Sequence, residues 1–134
     1  MVICYWCIGK CKMELGKLEI YQLALQLSHD IWAVYEKLPK QLQFSIGDQS
    51  LRSIDSIGAN IAEGYGRFHY RDSIKFYYNA RGSLWESKHW LYLLYKRDLM
   101  RKALYEKMMG DINILGKKLN NFIEGIKKRA RNDQ

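Results

Sequence analysis

Proline is almost missing from these 134 residues, with Pro39 the single one. A proline inside a helix costs roughly 3 kcal/mol, so its scarcity leaves long helices open to the chain. Cysteine is confined to Cys4, Cys7 and Cys11, and an odd cluster in the first eleven residues excludes a disulfide framework. Those three sulfurs would supply three zinc ligands with no fourth nearby, so neither a metal nor any other cofactor is expected. A reducing, cytoplasmic setting is the simpler expectation. No run approaches the ~18 consecutive apolar residues of a membrane helix. The apolar opening, Met1 to Ile8, lacks the basic start and small-residue cleavage site of a secretory signal. Catalytic signatures are missing too. There is no H-E-x-x-H, G-x-S-x-G or phosphate-binding loop, and His29, His69 and His89 fall on different segments without metal-ligand spacing. No segment alternates like a strand, and no repeat or low-complexity tract is present.

What the chain does have is apolar content, 48%, enough for one domain with a real core and too much for a disordered chain. Its apolar residues recur with the 3.6-residue period of amphipathic helices. A first helix is expected from about Lys17 to Lys37, on Leu23, Leu27, Ile31, Val34 and Leu38, flanked by Tyr21, Leu25, Trp32 and Tyr35. Pro39 stops it. A second runs from about Gln41 to Tyr65 on Ile46, Leu51, Ile54, Ile57 and Ile61. Small residues crowd that helix (Gly47, Ser50, Ser53, Ser56, Gly58, Ala59), and close helix–helix approach would offset the cost of its glycines. Gly64 and Gly66 are read as its glycine stop. No strand precedes Gly64-Tyr65-Gly66, so it is not read as a phosphate loop.

The third helix is expected from about Tyr70 to Lys96 on Ile74, Tyr77, Tyr78, Leu84, Trp85, Leu91, Leu94 and Tyr95. The fourth runs from about Lys102 to Arg129 on Leu104, Met108, Ile112, Leu115, Leu119, Phe122 and Ile126. Short breaks between four such helices predict an all-α, antiparallel up-down-up-down four-helix bundle. It should span residues 13–129, with 130–134 a fraying basic tail. Residues 1–12 are expected to be a disordered or non-native leader, with Met13 the natural start. The stripes are wide and rich in aromatics, which predicts a homo-oligomer.

Charge is unevenly placed. Residues 1–66 carry 6 Lys/Arg against 7 Asp/Glu, and residues 67–134 carry 16 against 7, so a half with net charge −1 precedes one of +9. A basic half points to a polyanionic partner, RNA, DNA or an acidic protein; solubility alone is the blander reading. The candidate phosphate contacts are Arg67, Arg71, Lys75, Lys117, Lys118, Lys127, Lys128, Arg129 and Arg131, acting by charge neutralisation rather than by reading bases.

Two stretches are more specific than a plain bundle requires: Ser56-Ile-Gly-Ala-Asn-Ile-Ala-Glu-Gly-Tyr-Gly-Arg67 and Ala80-Arg-Gly-Ser-Leu-Trp-Glu86. A charge beside an apolar stripe must be paired. Glu63 and Glu86 are therefore read as counter-charges for Arg81 and Arg67, an inter-helix ion-pair network rather than a ligand site.

The same two stretches resemble the signature of the four-helix-bundle proteins encoded in intervening sequences of bacterial large-subunit ribosomal RNA genes. That pattern is approximately S-I-x-x-N-I-A-E-G-x-G-R followed by A-R-G-S-L-x-E on the next helix. Leu38-Pro39 and Gln49 also fit, and the likeness covers residues 13–128. The leader is a departure, as is Gly58 where the family often has proline. The resemblance implies a ring-shaped homopentamer with no enzymatic activity. A related branch, the accessory variability determinants of diversity-generating retroelements, binds nucleic acid and a reverse transcriptase. With the basic half, these implications make the expected function that of a non-enzymatic oligomer binding nucleic acid, RNA before DNA, or of a scaffold docking a partner such as a reverse transcriptase or ribonucleoprotein.

Overall fold

The computed structural model describes residues 13–133; the leader and its cysteines lie outside them. A single 3₁₀ turn, Leu15–Lys17, comes first, and Leu18 is extended at ψ 118°. Helix α1 therefore starts at Glu19, two residues later than periodicity predicts, and spans Glu19–Lys37. Leu38 turns extended before Pro39, whose φ of −54° leads straight into the next helix. Helix α2 covers residues 40–65 in three continuous pieces: α-helical Lys40–Leu42, a π-helical turn Gln43–Gly47, and α-helical Asp48–Tyr65. Helix α3 spans Tyr70–Lys96 and α4 spans Lys102–Asn132. The expected tail is thus helical through Asn132. No proline or glycine follows Gly125 to stop it, and Arg129 and Arg131 lie in the last turn, where cations favour the helix dipole.

Neighbouring helices run antiparallel around a square. Gly58 faces Ala24 and Gly47 faces Leu38 between α2 and α1. Ser53 meets Ser87, and Gly64 meets Tyr77, between α2 and α3. Tyr77 meets Phe122 and Leu84 meets Gly116 between α3 and α4. Asp30 and Glu19 pair with Lys107 and Lys118 across α1 and α4. This is the up-down-up-down bundle.

The core contains the predicted Leu27, Ile31, Val34, Ile54, Ile57, Ile61, Leu84, Leu91, Leu94, Met108, Ile112, Leu115, Leu119 and Ile126. The α2–α3 seam, the most extensive in the bundle, is built on small residues instead: Ser50, Ser53, Ser73, Ala80 and Ser87 are all buried. Each of the four serine hydroxyls donates to a carbonyl of its own helix, so none is left unsatisfied by burial. Small side chains let the backbones approach, and larger neighbours are pushed outward. Trp85, predicted within the apolar stripe, is 64% exposed under the ammonium of Lys88.

Gly64 is not a helix stop. It lies inside α2, where a Cβ would sit 2.9 Å from the Tyr77 ring. The helix ends at Tyr65, and Gly66 caps it at an ordinary φ of −75°.

Candidate nucleic-acid interface

Register decides which of the candidate basic residues meet. Along the α3–α4 seam Arg81 stands opposite Asn120, Tyr77 opposite Phe122 and Leu84 opposite Gly116. Continuing that register puts Arg71 and Lys75 level with residues 129 and 125. Arg67, Arg71 and Lys75 therefore share one end of the bundle with Lys127, Lys128, Arg129 and Arg131, although some 60 residues separate the two groups in sequence. This end holds the α2–α3 turn, the start of α1 and the end of α4. Lys117 and Lys118 do not join it. They sit about ten residues, roughly 15 Å, further along α4, and Lys118 is paired with Glu19 at 2.9 Å.

Within the cluster, Arg67 pairs with Glu63 at 2.9 Å and lies over the Phe76 ring at 4.4 Å. Lys127 pairs with Glu124 at 3.1 Å. Hydrogen bonding to Tyr78, and then to Glu124, raises the Lys127 ammonium above its ordinary pKa. Arg71, Lys75, Lys128, Arg129 and Arg131 make no ion pair with any described residue. All five are exposed, and the Lys75 ammonium lies 5.1 Å from the centre of the Phe76 ring.

Between the converging helix ends lies a cleft of about 400 Å³. Met13 and Leu18 lead into it from before α1, Gly64 and Tyr65 from α2, Tyr70, Ser73 and Tyr77 from α3, and Phe122, Ile126 and Arg129 from α4. Phe122 meets the Tyr77 ring edge-on at 5.0 Å. The Tyr65 hydroxyl donates to the Met13 carbonyl and ties the chain preceding α1 to the end of α2. Burial pushes the Tyr77 phenol well above its usual range, and the neighbouring Tyr65 adds to the shift. Tyr77 therefore stays neutral. Periodicity alone did not reveal this cleft, because four helix ends contribute to it. The one local sign was a glycine, Gly64, within an otherwise good helix.

The expected ion-pair network is not what the polar residues form. Arg81 donates to Asn120 at 3.3 Å and lies 4.7 Å from the centre of the Tyr78 ring, tying α3 to α4. Glu86 accepts from the Trp90 indole at 3.1 Å on its own helix. Of the four residues, Glu63 and Arg67 pair with each other, at the surface. The antiparallel register explains the difference. Ser53 meets Ser87, so Glu86 stands near residue 54, about nine residues, or roughly 14 Å, from Glu63. Asn60, from the same signature, donates to the Ser56 carbonyl in its own helix.

Among the described residues, no group of three His, Cys, Asp or Glu side chains converges on a metal-sized site. No described helix is long and apolar enough to cross a membrane.

The family described as 23S rRNA-intervening sequence protein matches residues 16–121. A crystal structure of a protein of unknown function from the S23 ribosomal protein family, from Bacteroides thetaiotaomicron, is similar with a TM-score of 0.71. It is 28% identical, and the match covers 78% of this chain and 97% of that one. None of the curated proteins matches this chain.

Proposed function

This chain belongs to the 23S rRNA-intervening sequence protein family, and from that premise we propose that it is a non-enzymatic, cytoplasmic, oligomeric accessory protein that binds RNA through the basic end of its bundle. The observation that carries this reading is the convergence of Arg67, Arg71 and Lys75 with Lys127, Lys128, Arg129 and Arg131, five of them without a carboxylate partner among the described residues. Cations placed this way bind phosphates by releasing counterions, and the affinity falls steeply with salt.

The oligomer is a ring, a homopentamer by family resemblance. Its physical support is a pair of exposed stripes on helices at opposite corners of the square: Leu25 and Trp32 on α1, Trp85 and Tyr92 on α3. Two different apolar patches on opposite sides favour head-to-tail contact, which closes into a ring when the rotation permits. Light scattering reads the subunit number, and Trp32→Glu should dissociate the assembly.

A titration of single-stranded RNA between about 50 and 200 mM salt tests the binding. Seven phosphate contacts would cost roughly three to four orders of magnitude in affinity over that range. No binding, or binding indifferent to salt, overturns the reading. The scaffold reading, in which the exposed Trp85 and Tyr92 dock a partner such as a reverse transcriptase or ribonucleoprotein, predicts capture that survives RNase treatment.

A further inference from the structure

The cleft at the basic end is more specific than a phosphate surface needs. Phosphate neutralisation calls only for exposed Lys and Arg. Here the cations border a recess lined by the aromatic rings of Tyr65, Tyr70 and Phe122, with the buried Tyr77 ring packed edge-on against Phe122. At its base the missing side chain of Gly64 lets the Tyr77 ring pack close against α2, and Arg129 belongs to its lining. A volume of about 400 Å³ falls within the range of small-molecule sites, roughly 300–1,000 Å³. We propose that this cleft takes a single unpaired nucleobase, stacked against its aromatic walls, while the phosphates on either side of that nucleotide lie on Arg129 and the neighbouring Arg71 and Lys128.

Three features select this occupant. Base faces stack on aromatic rings irrespective of sequence, and stacking sites sit beside cations that track the backbone. The charge at the rim is positive and partly uncompensated, so a neutral apolar peptide would leave it unused. Arg129, exposed and on the cleft lining, supplies a guanidinium for a base edge. A base held in a duplex cannot enter, so the site selects loops, bulges and strand ends.

This inference rests on the RNA-binding reading, and the experiment separates the two. The full chain is titrated, by anisotropy, with a hairpin carrying one bulged 2-aminopurine and with a fully paired duplex of equal charge. The bulged RNA should bind about tenfold or more tightly, with the fluorophore quenched on binding. Loss of a stacking partner corresponds to about 5- to 150-fold in affinity. Phe122→Leu and Tyr70→Leu keep apolar volume and remove the aromatic faces. They should abolish the preference and the quench while leaving duplex affinity and its salt slope unchanged. Equal affinity for the two RNAs, or a preference that survives both substitutions in folded protein, overturns the proposal.

Photo-crosslinking of 4-thiouridine at the bulge to the unmodified protein provides a readout independent of how the variants fold. Adducts on Tyr65, Tyr70 or Phe122 support the site, and adducts confined to Trp85 or Tyr92 overturn it. Adenosine and uridine monophosphates, followed by NMR of the aromatic rings, form the last arm. If neither RNA binds but a mononucleotide shifts the Tyr70 and Phe122 signals, the cleft is a site for free nucleotides and the RNA reading fails alone. If no ligand binds, both fail.

Discussion

The two ends of the bundle carry similar charge but are built differently. The end with the α1–α2 and α3–α4 turns gathers Lys37, Lys40, Lys96, Arg97, Arg101 and Lys102, and its interior is filled. Leu38, Ile46 and Met100 are buried, Tyr95 stacks on Tyr105 at 4.5 Å, and Gln43 donates to the Tyr35 carbonyl at the end of α1. The turn after α3 closes as a paired-bond helix cap, with Leu99 N–H on Leu94 and Asp98 N–H on Tyr95, and Asp98 at a φ of +56°. The opposite end carries the other basic cluster around an open, aromatic cleft. Positive charge is common to both ends, so charge alone does not single out a binding surface. The proposed assignment rests instead on basic residues around a space that the chain's own core leaves unfilled.

The contrast is sharpest for two isoleucines of nearly equal burial. Ile46→Ala at the filled end should lose about 3 kcal/mol, within the usual 2–5 for a packed core. Ile126→Ala at the cleft should lose nearer 1–2, because part of its surroundings is already empty. Urea melts of the two variants decide this, and equal losses would mean that the cleft is packed in solution.

Adding one methyl group tests the same difference from the other side. A Cβ on Gly47 would lie 2.9 Å from Leu38 Cδ1 and from the Leu42 carbonyl, and one on Gly64 would lie 2.9 Å from the Tyr77 ring. Gly47→Ala should cost about 1–3 kcal/mol. Gly64→Ala should cost less, about 1 kcal/mol, since the Tyr77 ring can yield into the cleft. It should also weaken any ligand that occupies the cleft.

Asp98→Gly should stabilise the filled end by about 0.5–1 kcal/mol, because a left-handed backbone costs a side-chain-bearing residue and not glycine. Thermal melting should show the rise.

The smallest effects appear at high pH. Lys107 is held above its ordinary pKa by hydrogen bonds to Asp30, then Asp111, and Tyr77 is raised chiefly by burial. In both cases the unfolded chain gives up its proton first. Stability is therefore complete below about pH 10 and falls above it. Tyr77→Phe should flatten part of that decline. Asp30→Asn should remove another part and cost about 0.5 kcal/mol at neutral pH, less in high salt, because Lys107 is largely solvated.

The helices were legible because large apolar residues recur at helical spacing. The limits of α3 coincide with those expected, and the α4 residues Met108, Ile112, Leu115 and Leu119 are all fully buried. What periodicity misjudged was size. It favoured Leu23 and Trp85, whereas Ala24, Ala80 and Ser87 are the fully buried residues. It also placed Arg81 and Glu86 in one network, because spacing along a helix says nothing of the register between helices. That register separates Glu86 from Glu63 and brings Asn120 to Arg81. The cleft, likewise, has little local signal beyond Gly64, since its walls come from residues 13 to 129.

The most direct test of the account is to reverse charge at each end separately and measure RNA affinity across salt. Arg71→Glu with Lys128→Glu changes the open end, and Arg97→Glu with Lys102→Glu changes the filled end by the same charge. The open-end variant should lose about tenfold or more in affinity, and its log–log salt slope should shrink by about two, one for each lost phosphate contact. The filled-end variant should stay within a few-fold of the parent. Equal losses at the two ends would show that RNA follows net charge alone, and would contradict the assignment of binding to the open end.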